Sequence, residues 1–229
     1  MAFTRAHRTA YHAERSQRWT LEHQASRRIV SVIHSTLADT LGLPHRQISF
    51  RRFDEDWFRA FPPATIPWVR GCPDYWATLW TSPLRFLFLE LKIKERGVFR
   101  KTITGGVTRS GSLIASYHCP SFYLDIDPVF ANMMAFCTQT GLDPRHVLVA
   151  FAKPSASAEN IHLITLREIQ LLIRDGWHGT RLQEFDEGYG HRTYLIPQDA
   201  THPLIAATRL ALLQWCTVSY VLPRFLQDA

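Results

Sequence analysis

The chain has 229 residues, of which 46% are hydrophobic and 20% charged. That is enough apolar material to bury a real core, which excludes a disordered chain and a disulfide-stapled miniprotein. The formal net charge of +6 is unevenly spread: residues 1–110 hold 18 basic and 9 acidic side chains, residues 111–229 hold 8 and 11, so the first half is the candidate polyanion-facing half.

In chain order, residues 1–17 read as a basic arm containing Arg5, Arg8 and Arg15. Apolar residues from Leu21 through Ile29, Val32, Ile33 and Leu37 recur at steps of three and four, which predicts a helix over 18–41. Gly42 and Pro44 stop it. Residues 47–53 alternate and read as a strand, followed by an acidic-aromatic turn of helix and a proline-rich connector at 62–67. Residues 74–80 and 85–94 predict an antiparallel hairpin around Thr81-Ser82-Pro83. Residues 95–121, rich in Gly, Ser and Thr, read as an irregular insertion around one strand. Residues 122–126 form a further strand. A helix opens at Pro128 and is closed by Gly141. The apolar run 146–152 is a buried strand. Residues 161–164 form a short strand, and Thr165 with Glu168 is a capping box for a helix ending at Gly176. Residues 203–226 read as a long apolar helix broken near Pro223. Its interior Arg209 and Gln214 favour a core or interface position over a membrane span.

Chemistry concentrates on the hairpin. In an extended strand Leu87, Leu89, Leu91 and Ile93 face one way and Phe86, Phe88, Glu90, Lys92 and Lys94 the other. A carboxylate and an ammonium on so apolar a strand need compensation for lost hydration, which a metal ion and a phosphate would supply. Counting across a short turn, Asp74 falls opposite residues 90–92. Lysine is scarce, at 4 of 26 basic residues, so the Lys92 and Lys94 pair is informative.

These residues resemble a known signature. Gly71-Cys72-Pro73-Asp74 followed by Glu90-Leu91-Lys92 is similar to the motif of the PD-(D/E)XK, or restriction endonuclease-like, nuclease superfamily, and the element order over residues 18–152 is similar to that superfamily's core. The glycine two before the proline resembles virus-type replication-repair nuclease modules and Holliday-junction resolvase relatives, although the chain lacks their Ser-x-x-Gln-like segment after the E-x-K strand. The resemblance implies an α/β fold with a mixed central sheet flanked by helices. It also implies Asp74 and Glu90 as ligands of Mg²⁺ or Mn²⁺, the Leu91 backbone carbonyl as a further ligand, and Lys92 as the catalytic cation. Many members add a glutamate from the first helix, which nominates Glu22. Such chemistry suits hydrolysis of phosphodiesters: two carboxylates hold a hard cation with room for water, and the lysine stabilises charge developing on phosphorus. Lys94, Arg70 and Arg96 are the candidate phosphate contacts.

Plainer readings stand beside these. Glu-x-Lys triplets are common as solvated pairs, and helix acids such as Glu22 are usually exposed. Asp125 and Asp127 are rival metal ligands or, alternatively, a strand end and a helix cap. The histidines show no H-x-x-x-H pair, and no Walker, dinucleotide or Gly-x-Ser-x-Gly pattern occurs. Cys72, Cys119, Cys137 and Cys216 lack C-x-x-C spacing and read as reduced thiols of a cytoplasmic protein; no secretory signal is visible at the basic start. The expectation is therefore a basic arm (1–17), a nuclease-like domain (18–200) and a C-terminal helix (201–229) packed on the core or forming a homodimer or partner interface. The substrate is DNA, with RNA or branched DNA as variants, and no membrane is involved. The alternative is a catalytically silent nucleic-acid-binding or assembly module of the same fold.

Overall fold

A computed structural model describes residues 5–53, 73–94, 99–103, 117–178, 181–182, 184–186 and 192–218. The predicted helical turn and connector between residues 54 and 67, Arg70, Cys72 and Arg96 lie outside these residues, as do the side chains of residues 5–22, Cys119 and Asp127.

Helix α1 (Arg5–Leu41) begins where a separate basic arm was expected: the helix simply continues upstream of Arg18. Its apolar stripe, Ile29, Ile33, Leu37 and Leu41, is buried, as the three-to-four spacing requires. Strands β1 (Ile48–Arg52), β2 (Tyr75–Leu79) and β3 (Arg85–Ile93) follow, joined pairwise as antiparallel neighbours. The Ser82–Pro83 peptide in the hairpin turn is cis. Within the expected insertion two segments pair: β4 (Phe99–Ile103) and β5 (Tyr117–Asp125) are antiparallel partners, and the residues between them lie outside the described ones. The strand expected within the insertion is β4, and what local composition does not announce is its pairing and the start of β5 at Tyr117, ahead of the strand expected at 122–126.

Past β5 the chain makes a wide π-type turn over 126–130 before helix α2 (Ala131–Thr140). Pro128 therefore sits inside that turn, and Asp127 is not at the cap position expected for it. Gly141 ends α2 in the left-handed region at φ 70, where a side chain would be strained. Strand β6 (Val147–Ala152) is buried throughout and runs parallel to β3. Then come β7 (His162–Thr165) and α3 (Leu166–Asp175), which opens with the predicted capping box of Thr165 and Glu168. Strands β8 (Glu184–Asp186) and β9 (Arg192–Pro197) complete a second, antiparallel sheet in the order β4-β5-β9-β8.

The C-terminal segment departs most from expectation. Instead of one helix over 203–226, it gives β10 (His202–Pro203), a helix α4 limited to Arg209–Trp215, and β11 (Thr217–Val218). Thr208 caps α4 by accepting from the Ala211 amide, and the β-branched Thr217 and Val218 pair with Phe86 and Arg85 at the start of β3. An open strand edge outcompetes helix propensity there. Leu212 and Trp215 of α4 are buried in the core.

The central sheet is mixed, in the order β1-β2-β3-β6-β7-β10, with β11 against β3. Its two faces are separate cores. Leu87, Leu89, Leu91, Leu148 and Ala150 meet α1 and α4 on one side. Trp76, Phe88, Val149, Phe151 and Ile164 meet α2, α3 and the β5–β9 pair on the other. Burial of each large side chain contributes about 1.5–3 kcal/mol. A mixed α/β fold with its central sheet flanked by helices is thus the architecture, and among the described residues no helix is long and apolar enough to cross a membrane. Cys137 and Cys216 are free and buried, and burial pushes both thiols up to about 12, which makes them unreactive packing residues.

Candidate active site

The hairpin register decides which charges meet. Tyr75, the first residue of β2, pairs with Leu89, so Asp74, at the bend that opens the strand, comes level with Glu90 and Leu91. An Asp74 carboxylate oxygen accepts from the Leu91 amide at 2.8 Å. Lys92 Nζ lies 2.8 Å from Glu90 Oε1, with those side chains only 14% and 10% exposed. The structure therefore brings Asp74, Glu90 and Lys92 together at one end of the sheet, where the sequence placed them.

Alternation along β3 explains why these charges are tolerated. Leu89 and Leu91 are committed to the α1 side, which leaves Glu90 and Lys92 on the face of Phe88. Burial, and next the neighbouring Asp74 charge, raise the Glu90 carboxyl from its ordinary value to about 7, against the opposing pull of Lys92 and a hydrogen bond from the Asp74 backbone. Burial alone would lower the Lys92 ammonium, but Glu90, Asp74 and Asp125 outweigh it and its pKa is raised. The lysine is thus held charged by acids that are themselves crowded.

Two oxygen-donor carboxylates that repel each other suit a hard divalent ion. In an extended strand a residue's carbonyl lies along the same edge as its amide, so the Leu91 carbonyl faces the side on which Asp74 receives the Leu91 amide, where β2 has already ended. Asp74, Glu90 and that carbonyl are a donor set that fits Mg²⁺ or Mn²⁺. Among the described residues no group of three or more His, Cys, Asp or Glu side chains is placed to hold a metal ion.

Asp74 also lines a cleft of about 210 Å³ together with His23 and Ser26 of α1, Arg52, Tyr75, Leu91 and Ile93. Sequence reading nominated Glu22 from this helix, whose side chain lies outside the described residues, and overlooked its neighbours. Ser26 Oγ is 2.8 Å from the Tyr75 hydroxyl, Arg52 hydrogen-bonds His23, and the Arg52 guanidinium stands 5.8 Å over the Tyr75 ring. The available signal was the register: Arg52 pairs with Tyr75, next to Asp74. Lys94 follows β3 and lies 5.4 Å over the Tyr123 ring. Asp125 ends β5 without capping the turn that follows, and its charge reaches Lys92.

No family model matches the chain, and no curated protein matches it. Among solved structures it is similar to a nuclease from a fusselovirus, at 12% identity and a TM-score of 0.38, with 93% of this chain and 94% of that chain covered. That likeness is too distant to bear on the chemistry.

Proposed function

We propose that the chain is a metal-dependent nuclease of the PD-(D/E)XK type that hydrolyses phosphodiester bonds in DNA with Mg²⁺ or Mn²⁺. The observation that carries this reading is the buried Glu90 carboxyl, raised to about 7 beside Asp74 and held 2.8 Å from Lys92 Nζ. A bound divalent ion supplies polarisation of the phosphate and acidification of its water. Asp74 and Glu90, with the Leu91 carbonyl, would hold it.

The remaining work falls to the chain's own groups. The Leu91 amide fixes the Asp74 carboxylate, so one ligand is oriented by backbone rather than by a mobile side chain. Lys92 stays protonated and presents its charge where negative charge grows on the phosphoryl oxygens. Without metal the Glu90 carboxyl titrates at about 7, and binding of a divalent ion would release its proton. Lys94 meets the neighbouring phosphate. The first half of the chain, which holds the hairpin, carries the surplus of arginine, which suits a polyanionic substrate, and the experiment below tells DNA from RNA.

Cleavage mapping by purified protein with Mg²⁺ or Mn²⁺ on linear, nicked, branched and single-stranded DNA, and on RNA, tests this. Metal-dependent products from DNA are expected. Binding without cleavage on every substrate would favour a silent nucleic-acid-binding module instead.

A further inference from the structure

Arg52 closes β1 at the end of the sheet where Asp74 and Glu90 meet. It pairs with Tyr75, which pairs in turn with Leu89, and the Phe53 amide donates to the Asp74 carbonyl at 3.1 Å. The end of β1 is thus tied to the start of β2. Arg52 stands roughly 10 Å, two strand spacings, from β3, on the opposite flank of Asp74 from Lys94. Alternation sets its face: Phe53 belongs to the core of Trp76 and Phe88, which turns Arg52 toward α1 together with Tyr75. The cleft of about 210 Å³ that it lines is shared with Asp74 and Leu91, the residues that supply two of the three donors of the proposed cation site.

The guanidinium is held from two sides by uncharged groups. His23 and Ser26, three residues apart, share a face of α1. Ser26 Oγ lies 2.8 Å from the Tyr75 hydroxyl and anchors that ring, and the Arg52 guanidinium stands 5.8 Å over it. Arg52 Nη1 also donates to His23 Nδ1, which makes the imidazole neutral, since a protonated ring has no acceptor. A ring face engages the plane of a guanidinium rather than the edge that carries its five N–H donors, and one nitrogen of that edge serves His23. These two contacts orient the charge without cancelling it.

A planar, permanently charged fork fixed beside a cation site matches the oxygens of a phosphate. The scissile phosphate belongs to the cation and to Lys92, on the other face of β3. We propose that Arg52 grips the phosphate next to the cut bond on the side away from Lys94, so that the substrate strand runs along the end of the sheet from β1 to β3, with His23 and Tyr75 as positioning residues. The inference rests on the nuclease reading and deepens it: the substrate must offer a phosphate on each side of the bond that is cut.

Two measurements test it. In chelator, where nothing is cut, fluorescence anisotropy of a labelled DNA duplex across a salt series gives the slope of log affinity against log salt. Arg52→Gln, which keeps a donor for His23 but no charge, should lose about tenfold in affinity, the scale of one charge-assisted contact, and its slope should be shallower by about one. Arg52→Lys should restore the slope. With Mg²⁺, duplexes carrying one uncharged methylphosphonate at successive positions map the phosphates that cleavage needs. The parent should spare the bonds on both sides of the modification, whereas in Arg52→Gln the phosphate on one side should cease to matter while the other still does. Should Arg52→Gln not fold, Arg52→Lys, which lacks the fork, should weaken the interference on that one side. No binding, an unchanged slope, or interference equal on both sides in the variants would overturn the inference. So would a loss of affinity without a change of slope, the pattern of an arginine that only steadies Asp74. A slope that depends on Arg52 in a protein that never cleaves keeps the contact and loses the nuclease, and cleavage with an unchanged slope does the reverse.

Discussion

The Leu91 amide donates to an Asp74 carboxylate oxygen at 2.8 Å, so the residue that opens the first arm of the hairpin is locked to the centre of the Glu90-Leu91-Lys92 triplet on the second. Backbone pairing, rather than a chain of side chains, sets the separation of the two acids. The site is consequently as rigid as the sheet beneath it.

Asp74→Asn keeps an oxygen to accept from Leu91 but removes the charge. The variant should fold, and the rise in melting temperature that Mg²⁺ or Mn²⁺ gives the parent should vanish, because ligand binding to the folded state is what produces such a rise. Differential scanning calorimetry with and without metal checks this. An unchanged metal response would remove Asp74 from the site.

The Glu90 carboxyl gives a signed pH dependence. Its folded pKa, about 7, exceeds the ordinary 4.5, so between those values the folded state binds more protons than the unfolded one. Its contribution to stability is then fully present below about 4.5 and is lost as pH rises through about 7. Glu90→Gln should flatten the fall in melting temperature over that window. Divalent metal, which selects the ionised carboxylate, should stabilise the parent more at pH 8 than at pH 5. Melting curves across this range, with parent and variant in one buffer series, decide it.

Helix α3 offers a check on the fold that leaves the site alone. The Thr165 hydroxyl accepts from the Glu168 amide at 3.1 Å, while Glu168 accepts from the Thr165 amide at 2.8 Å and pairs with His202 at 2.8 Å. Thr165→Ala should cost about 1 kcal/mol in urea unfolding, without altering cleavage. A null effect on stability would mean the cap is not formed.

Local periodicity made much of this architecture legible. The stripe of Ile29, Ile33 and Leu37, the alternation along β3 and the Thr165–Glu168 box each follow from spacing alone, and the register that puts Asp74 level with Glu90 follows from a short turn. What stayed hidden depends on distant partners. Nothing near Thr217 announces that it will close against Phe86, and local composition does not announce that β4 will pair with β5. His23 and Arg52 escaped notice for the same reason, since they meet only when α1 is laid across the end of β1. The influence of Asp125 on Lys92 is likewise an electrostatic effect of the second sheet on the first.

That charge effect yields a graded expectation. Asp125→Asn removes the last and weakest of the charges raising the Lys92 pKa, so the variant should retain cleavage and metal-dependent stabilisation. A dead Asp125→Asn with an unaffected Lys92 variant would move the metal to the end of β5.

Lys92→Ala tests the nuclease reading most directly. Near neutral pH the bereft Glu90 can take up a proton, so the fold persists, and both carboxylates remain for metal at higher pH. Time courses of plasmid nicking with Mg²⁺ or Mn²⁺ should show the parent converting supercoiled DNA, no conversion in chelator, and none by Lys92→Ala despite a cooperative melting transition. A Lys92→Ala protein that nicks DNA at the parent's rate would contradict the assignment of this hairpin as the catalytic centre.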